Sequence, residues 1–509
     1  MVTASLITQA YTYSTVNAIN GSGMWFQLQS SSYTLNNFKY VYVLNEVTNS
    51  GTFVQSLGSY YEPPRPYNPY SGLTGTGLFN PYKALRSQIN NAPDWNITLQ
   101  GLTPVTQSIV PYQLQTGFSY NPGWTFSTSS HTYLFTLYLQ LNFSSPVDLQ
   151  INDLVTINMT TLLYNPQYNG TWKVFLITGG SANAATAVVL RVIYGTVPST
   201  TELGEITNIQ RISGTTSTFW GWNGDRQYQE SNQDFYNPYV VTGTSSSFLT
   251  NYYNPYIPQP TFGNKITPPY TMKPVNADQW ETIGFLYDPT STITAYALIL
   301  YDSNGYVISS GVLGLTSSFT TSRKYELGIG PKNIDLSFVG INWNTVAYYN
   351  ILLYYGTAVS GPKASIWRRI NTDCNYCYYT PIQVTWLNRR GSYEYYTFNK
   401  DSQRTVQVTK KEWMNNLLWN FKQGDRINSV LSQDIEIDYT INSDWVSQYD
   451  QNWMEELATS PEVYIIDGTN RIPIYITDSS WTSKTLVRDQ LFNMTVNYKY
   501  AFTLVSQDN

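Results

Sequence analysis

The chain has 509 residues, 42% of them hydrophobic and 16% aromatic, with 45 Tyr, 15 Trp, one His, two Cys and a formal charge of −5. Residues 1–362 hold 13 Lys and Arg and 16 Asp and Glu, about 8% charged against the roughly 25% of an ordinary soluble domain, while residues 363–509 hold 15 and 17, about 22%. Two cysteines exclude a disulfide scaffold, and a slightly acidic chain gives no electrostatic reason to expect nucleic acid.

Tyr, Asn, Ser, Thr and Gln must then supply the wet surface. That chemistry suits broad β-sheet, where Tyr and Thr fit a pleated, half-buried surface and Asn and Gly make turns. Residues 1–21 lack the basic start and apolar run of a secretory leader, and no segment has 18 consecutive apolar residues, so the expectation is a protein made in a cytosol without a direct membrane anchor.

In chain order, residues 24–29 and 38–44 read as strands. In the second, Phe38, Tyr40, Tyr42 and Leu44 share one face and Lys39, Val41 and Val43 the other. Residues 60–96 carry Pro63, Pro64, Pro66, Pro69, Pro81 and Pro93, which rules out a continuous central strand or helix and predicts an extended arm with one short helix over 83–89. Strand patterns return at 132–142, 149–164, 171–177 and 187–194, with Asn169-Gly170 as a hairpin signal.

A second irregular tract covers 221–274. Its Asn237-Pro238-Tyr239 and Asn254-Pro255-Tyr256 echo Asn68-Pro69-Tyr70 and Asn80-Pro81-Tyr82. Unequal spacing makes these turns, in which Asn opens and Pro fixes φ, or aromatic tips that clasp a neighbour, and not a repeat architecture.

Strands follow at 280–287 and 293–301, then the turn Asp302-Ser303-Asn304-Gly305 into Tyr306-Val307-Ile308, then 325–329 and 346–355. After a change of composition near Pro362, residues 382–387 and 393–398 read as a hairpin around 388–392, and 463–466 with 472–476 as another around Asp467-Gly468. Between them Val446, Tyr449, Trp453 and Leu457 recur with helical period, Ser443 and Asp444 can cap, and Pro461 stops the helix. Residues 495–504 read as a closing strand.

These readings predict a mainly β, multidomain chain of β-sandwich or barrel-like domains, with long Pro/Tyr/Asn-rich arms and a small mixed α+β carboxyl-terminal domain. The borders are a β segment over 1–59, an arm over 60–115, a sandwich-like domain over 116–220, a second arm over 221–275, a β domain over 276–362 and the α+β domain over 363–509.

Candidate chemistry is sparse. Cys374 and Cys377 have a metal-like spacing but lack the second ligand pair that structural zinc needs, and His131, the single histidine, is some 240 residues away. Asp434, Glu436 and Asp438 alternate on one strand face, as paired carboxylates of a glycan-cleaving site or as a solvated row paired with Lys and Arg. Asp302-Ser303-Asn304-Gly305 copies only the start of a calcium loop. Gly179-Gly180 lacks the Lys and Ser/Thr of a phosphate loop, and the Asn-X-Ser/Thr triplets at Asn20, Asn96, Asn142, Asn158, Asn169 and Asn493 are those expected by chance in this composition. The expectation is no catalytic, cofactor-binding or metal site.

Asp373-Cys374, Thr385-Trp386-Leu387-Asn388-Arg389-Arg390-Gly391, the aromatic run to Phe398-Asn399, Leu457-Ala458-Thr459-Ser460-Pro461-Glu462-Val463-Tyr464 and Tyr498-Lys499-Tyr500-Ala501-Phe502 together resemble structural proteins of tailed phages of Bacteroidetes, including crAss-like phages. Gly328-Ile329-Gly330-Pro331-Lys332-Asn333 and Asn37-Phe38-Lys39-Tyr40 are similar as well; the turn at 388–392 is less glycine-rich than the family pattern. The resemblance implies a virion protein of the neck, ring or tail, assembled as a closed ring of six or twelve copies and joined to other neck, tail or portal proteins. The alternatives are a receptor-binding or glycan-active tail protein and a double jelly-roll capsid subunit.

Overall fold

Strands dominate the computed structural model, with two short α-helices among the described residues, so the chain is mainly β as its composition requires. The structure describes residues 3–6, 12–13, 16–20, 26–66, 74–89, 102–104, 109–133, 136–160, 168–181, 184–190, 203–225, 240–241, 272–287, 293–314, 324–337, 340–355, 362–370, 379–389, 391–416, 419–420, 422–443, 446–478, 491–502 and 507–508. The chain divides into two compact units, Met1–Gln88 with Val110–Gly221 and Ile89–Ile109 with Trp222–Asn509.

The first unit is built on a closed barrel of six antiparallel strands. The circuit runs Trp124–Tyr133, Thr136–Val147, Ala184–Leu190, Gly170–Ser181, Leu154–Met159 and Leu203–Thr215, and closes where Trp124 pairs with Ile206. Alternate residues such as Leu139 and Leu141, and Val155 and Ile157, are buried, the period of two that fills a small barrel. Strand Leu203–Thr215 then leaves the circuit and pairs with Ile109–Tyr120, which pairs with Lys39–Val47, itself paired with Phe53–Glu62.

The single strand expected over 132–142 is instead interrupted by a hairpin, with Tyr133 opposite Thr136. No Gly, Pro or Asn marks that turn, so the sequence carries no turn signal there. In Lys39–Val47 the face of Tyr40, Tyr42 and Leu44 is buried as the alternation predicts, but Val41 is buried too, because both faces of this sheet are covered. The arm expected over 60–115 overlaps regular structure: residues 109–115 open the strand Ile109–Tyr120, with Pro111 just beyond the last register pair, Glu46 with Tyr112.

Within the arm, the short helix is Tyr82–Arg86, and Asn80 Oδ1 accepts a hydrogen bond from the Tyr82 N–H at 2.9 Å. That Asn-Pro-Tyr triplet is a helix-opening turn; the triplets at 68, 237 and 254 lie outside the described residues. The Arg211 guanidinium ties the barrel to the 148–153 turn, 2.8 Å from Asp153 and 3.1 Å from Asp148.

The second unit contains a two-layer sandwich. One layer has the order Val240–Val241, Thr282–Tyr287, Lys324–Gly328, Leu102–Pro104; the other has Lys273–Val275, Pro362–Ile370, Tyr348–Tyr355, Ile293–Tyr301, Val307–Gly314. Ile283, Tyr325 and Leu327 from the first meet Leu298, Leu300, Tyr349 and Ile351 from the second in one core. The compositional border at Pro362 falls at the head of a strand in this second layer.

The same unit carries an eight-stranded sheet, whose main path is Tyr393–Phe398, Ile382–Leu387, Val463–Asp467, Asn470–Ile476, Thr495–Tyr500, Asn428–Asn442, Ser402–Met414. Helix Gln448–Thr459 packs on it through Trp453, Met454 and Leu457. Val446 is also buried, but it lies before the helix in a two-residue strand paired with Phe492. Ser443 does not cap the helix: its Oγ accepts from the Met494 N–H at 2.8 Å. The structure does not describe the Tyr449 side chain or Asp444.

Candidate functional site

In a chain so short of charge, the most informative feature of the second unit is a group of charges with no exposed surface. Lys273 and Arg368 are direct partners in a parallel strand pair, an arrangement that repels unless an anion sits between them. Glu281, just before strand Thr282–Tyr287, is that anion. Its Oε1 lies 2.6 Å from Lys273 Nζ and 2.9 Å from Arg368 Nη2, and Arg368 Nε closes a second contact to Oε2 at 3.1 Å. Glu394, in strand Tyr393–Phe398, adds a carboxylate oxygen 3.7 Å from Lys273 Nζ, and its other oxygen accepts from Asn388 Nδ2 at 3.1 Å. The Lys273 ammonium also stands 5.2 Å from the centroid of the Trp453 ring, a cation–π contact in a dry setting.

Burial pushes the Glu281 carboxyl up, but the charges of Arg368 and Lys273 outweigh it and hold the group below the ordinary carboxylate range. Burial would likewise lower Arg368, and Glu281 more than restores it. Glu281 and Arg368 therefore carry their charges in the fold, sealed from water. Nearby, burial pushes the Lys324 ammonium down to about 8, against a smaller upward pull from Glu326, and Lys324 donates to the Gly391 carbonyl.

Around these charges a seam of neutral hydrogen bonds joins the sandwich to the eight-stranded sheet. Thr282 Oγ1 and the Tyr395 hydroxyl are 2.9 Å apart, Asn276 Nδ2 donates to Asn399 Oδ1 at 2.7 Å, Thr397 Oγ1 donates to Gln279 Oε1 at 2.9 Å, and Trp280 Nε1 donates to the Gly468 carbonyl at 3.1 Å. What this arrangement can do chemically is hold two layers in register.

Of the stretches quoted for the resemblance, Gly328–Asn333 lies at this seam, whereas Asn37–Tyr40 belong to the other unit and Asp373 and Cys374 lie outside the described residues. Ile329 and Gly330 donate backbone N–H groups to the Glu281 carbonyl, and Asn333 Oδ1 accepts from the Glu281 N–H at 2.8 Å. A Cβ at Gly330 would stand 2.3 Å from the Glu281 nitrogen, so only glycine fits. Trp386 packs against Trp453 with ring centroids 5.1 Å apart and planes tilted by 43°, Ser460 Oγ donates to the Leu387 carbonyl, and Arg389 reaches Glu456 at 3.4 Å.

The other residues singled out from sequence are dispersed. Cys374 and Cys377 lie outside the described residues. His131 stands in strand Trp124–Tyr133 opposite Tyr138. Asp302 accepts from the Asn304 and Tyr306 N–H groups through Oδ1, with Gly305 at φ +82°, which is turn geometry. Glu436 and Asp438 pair with Lys499 at 2.8 and 3.2 Å, and Asp438 also accepts from Gln407 Nε2, so these two acids are engaged on a wet strand face, with Asp434 exposed beside them. Among the described residues no group of three or more His, Cys, Asp or Glu could hold a metal ion, and no described helix is long and apolar enough to cross a membrane.

Sequence reasoning missed Lys273, Glu281, Arg368 and Glu394. The available signal was a charged residue at an inward strand position between apolar neighbours, as in Trp280-Glu281-Thr282-Ile283 and Ile366-Trp367-Arg368. It also missed the hairpin of Ser402–Met414 and Asn428–Asn442, in which every residue of the first strand is exposed. No protein-family model matches the chain, and no curated protein matches it.

Proposed function

We propose that the chain is a virion structural protein of a tailed bacteriophage that works as a ring or adaptor in the neck or tail. The observation that carries this reading is the exposed hairpin: Val406, Val408, Trp413, Met414, Trp419, Ile427 and Leu431 all stand in water on one projecting ribbon. An apolar patch concentrated on one ribbon is often an interaction site, and an assembly would cover it. The sealed charges at Glu281 support the same reading, since they brace two layers of the second unit, and Ile329, Gly330 and Asn333, from one of the stretches that resemble phage structural proteins, hold the Glu281 backbone. The glycan-active alternative draws on Asp434, Glu436 and Asp438, of which two are engaged by Lys499, so no observation favours it.

In this role identical copies bury neutral-polar and apolar surfaces around a symmetry axis, and the products are particles, not reactions. Mass photometry and electron microscopy of the purified full chain test it. Closed rings of six or twelve copies are expected; a monomer at all micromolar concentrations, with no ring on addition of neck or portal proteins, overturns the reading.

A further inference from the structure

We propose that the ribbon formed by Ser402–Met414 and Asn428–Asn442 is an arm that seats along the exposed edge strand Phe53–Glu62 of a second copy of this chain. The inference rests on the ring reading above and specifies its contact.

The ribbon carries four aliphatic side chains together on one face, flanked there by the exposed Arg404 and Lys410. Val406 pairs with Ile437 and Val408 with Ile435, so these four share one face, while Thr405 with Asp438, Gln407 with Glu436 and Thr409 with Asp434 form the other. Val406 and Val408 are 47% and 46% exposed. The apolar face does not begin at the tip. It continues through the next pair, Arg404 with Tyr439, into the domain core, where Tyr439 stacks on Tyr498 at 5.2 Å. Core surface thus runs out along the flank of the ribbon, which from Tyr439 to Asn428 is about 36 Å long at ~3.3 Å per residue. Beyond Tyr439 only the two-residue strand Gln507–Asp508 joins the ribbon among the described residues, at Ser432 and Gln433, and so slight a sheet is marginal in water on its own, so this flank calls for cover.

The flank decides what the cover is. A bilayer could take up the tip, where Trp413, Met414, Trp419 and Ile427 are exposed, but a flat surface met at the tip leaves Val406 and Val408 in water. Residues 402–442 carry five Lys and Arg and five Asp and Glu, so an anionic lipid or nucleic acid gains nothing from them. A neutral protein surface suits the ribbon, and residues 1–362 of another copy present one.

Within those residues, Phe53–Glu62 has a single charge, Glu62, in ten residues. Among the described residues it pairs on one side only, with Lys39–Val47, and it has neither the Lys nor the Pro that guards an edge strand. Phe53 and Val54 on it are 60% and 50% exposed. The arm and the edge are different surfaces of one chain, in different compact units, so joining arm to edge is a head-to-tail contact of the kind that closes into rings. One ribbon face is about 350 Å², under half of the roughly 800 Å² per partner in a standard interface. Two copies alone therefore pair weakly, and the closed ring, where every copy uses both surfaces, is the stable product.

The test uses the full chain with Cys374 and Cys377 replaced by Ser. Copies with Val408→Cys are mixed with copies carrying Val54→Cys, and intermolecular disulfides are expected on mixing and not in either alone. In parallel, Val406→Glu with Val408→Glu is expected to leave circular dichroism and the Tm of the dissociated chain unchanged while mass photometry shows loss of assemblies by at least tenfold. A ring-forming wild type whose Glu variant still forms rings, without the mixed disulfide, overturns the arm and leaves the ring reading standing. A wild type that stays monomeric overturns both, and binding of that monomer to neutral phosphatidylcholine vesicles assigns the ribbon to a membrane instead.

Discussion

Two successive hairpins of the eight-stranded sheet have opposite surroundings. In Ile382–Leu387 with Tyr393–Phe398 every residue is buried except the half-buried Ile382, whereas Ser402–Met414, four residues further on, is exposed throughout. Both alternate in the manner of strands. The first has a cover on each face: Val384, Trp386, Tyr396 and Phe398 lie under Trp453 and Leu457 of the helix, and Leu387, Tyr393 and Tyr395 pack toward Trp280 of the sandwich. The second has no such cover among the described residues. Burial is thus decided by what the rest of the chain places over a strand, and a ribbon left uncovered is where an assembly has room to act.

The largest effect should come from the cover of the buried hairpin. Trp453 has no exposed surface, packs at a tilt against Trp386 and faces the Lys273 ammonium. Trp453→Ala should cost about 4 to 5 kcal/mol, the upper part of the large-to-small range. Chemical denaturation of the full chain measures this, and a cost below about 1 kcal/mol would mean the helix is not what seals this face.

Next is the carboxylate that joins the two layers. Glu281→Gln keeps the shape but removes the carboxylate charge that Lys273 and Arg368 share, so about 3 to 4 kcal/mol should be lost. The pH dependence follows from the depressed Glu281 carboxyl: its contribution is complete above the ordinary carboxylate range and fades as pH falls through the lower, folded value. The Tm difference between wild type and Glu281→Gln should therefore narrow under acid. A difference that is constant from pH 7 to pH 3 would show that charge is not what Glu281 contributes.

Much of the buried hairpin was legible in the sequence and almost none of its chemistry was. The turn residues Asn388 and Gly391 announced the hairpin, and both work as turn chemistry requires: Asn388 Oδ1 accepts from the Ser392 N–H, and Gly391 has φ +77°. Asp467-Gly468 did the same with Gly468 at φ +62°. The charges were illegible because Glu281 and Glu394 are far apart in sequence, and a charged residue in a strand ordinarily marks the wet face. The ribbon was illegible for the opposite reason. Val406 and Val408 alternating with Thr405, Gln407 and Thr409 spell a half-buried strand, and nothing local says that the cover is missing.

A smaller effect is expected at Lys324. Its folded value of about 8 lies below the ordinary lysine range, so between pH 8 and 10 the unfolded chain holds a proton that the folded chain has released. Stability on this account rises with pH across that window, by on the order of 1 kcal/mol. Wild-type Tm taken relative to Lys324→Met should climb from pH 7.5 to 9.5; a level or falling difference would mean that the ammonium reaches water.

The smallest effect belongs to the exposed hairpin, and it separates covering by the chain itself from covering by a neighbour. Val406→Thr with Val408→Thr keeps the β-branched shape at two half-exposed positions and makes the ribbon face polar. With no described neighbour over either residue, the stability of the dissociated chain should change by less than about 0.5 kcal/mol, as for ordinary surface positions. Differential scanning fluorimetry at concentrations too low for assembly reads that change directly. Should the loss instead approach that of Trp453→Ala, the flank of the ribbon is packed within the subunit, and the contrast between the two hairpins disappears. A neutral result there, combined with weaker assembly at high concentration, is what an arm awaiting a neighbour requires, because its apolar face then contributes to the particle and not to the fold.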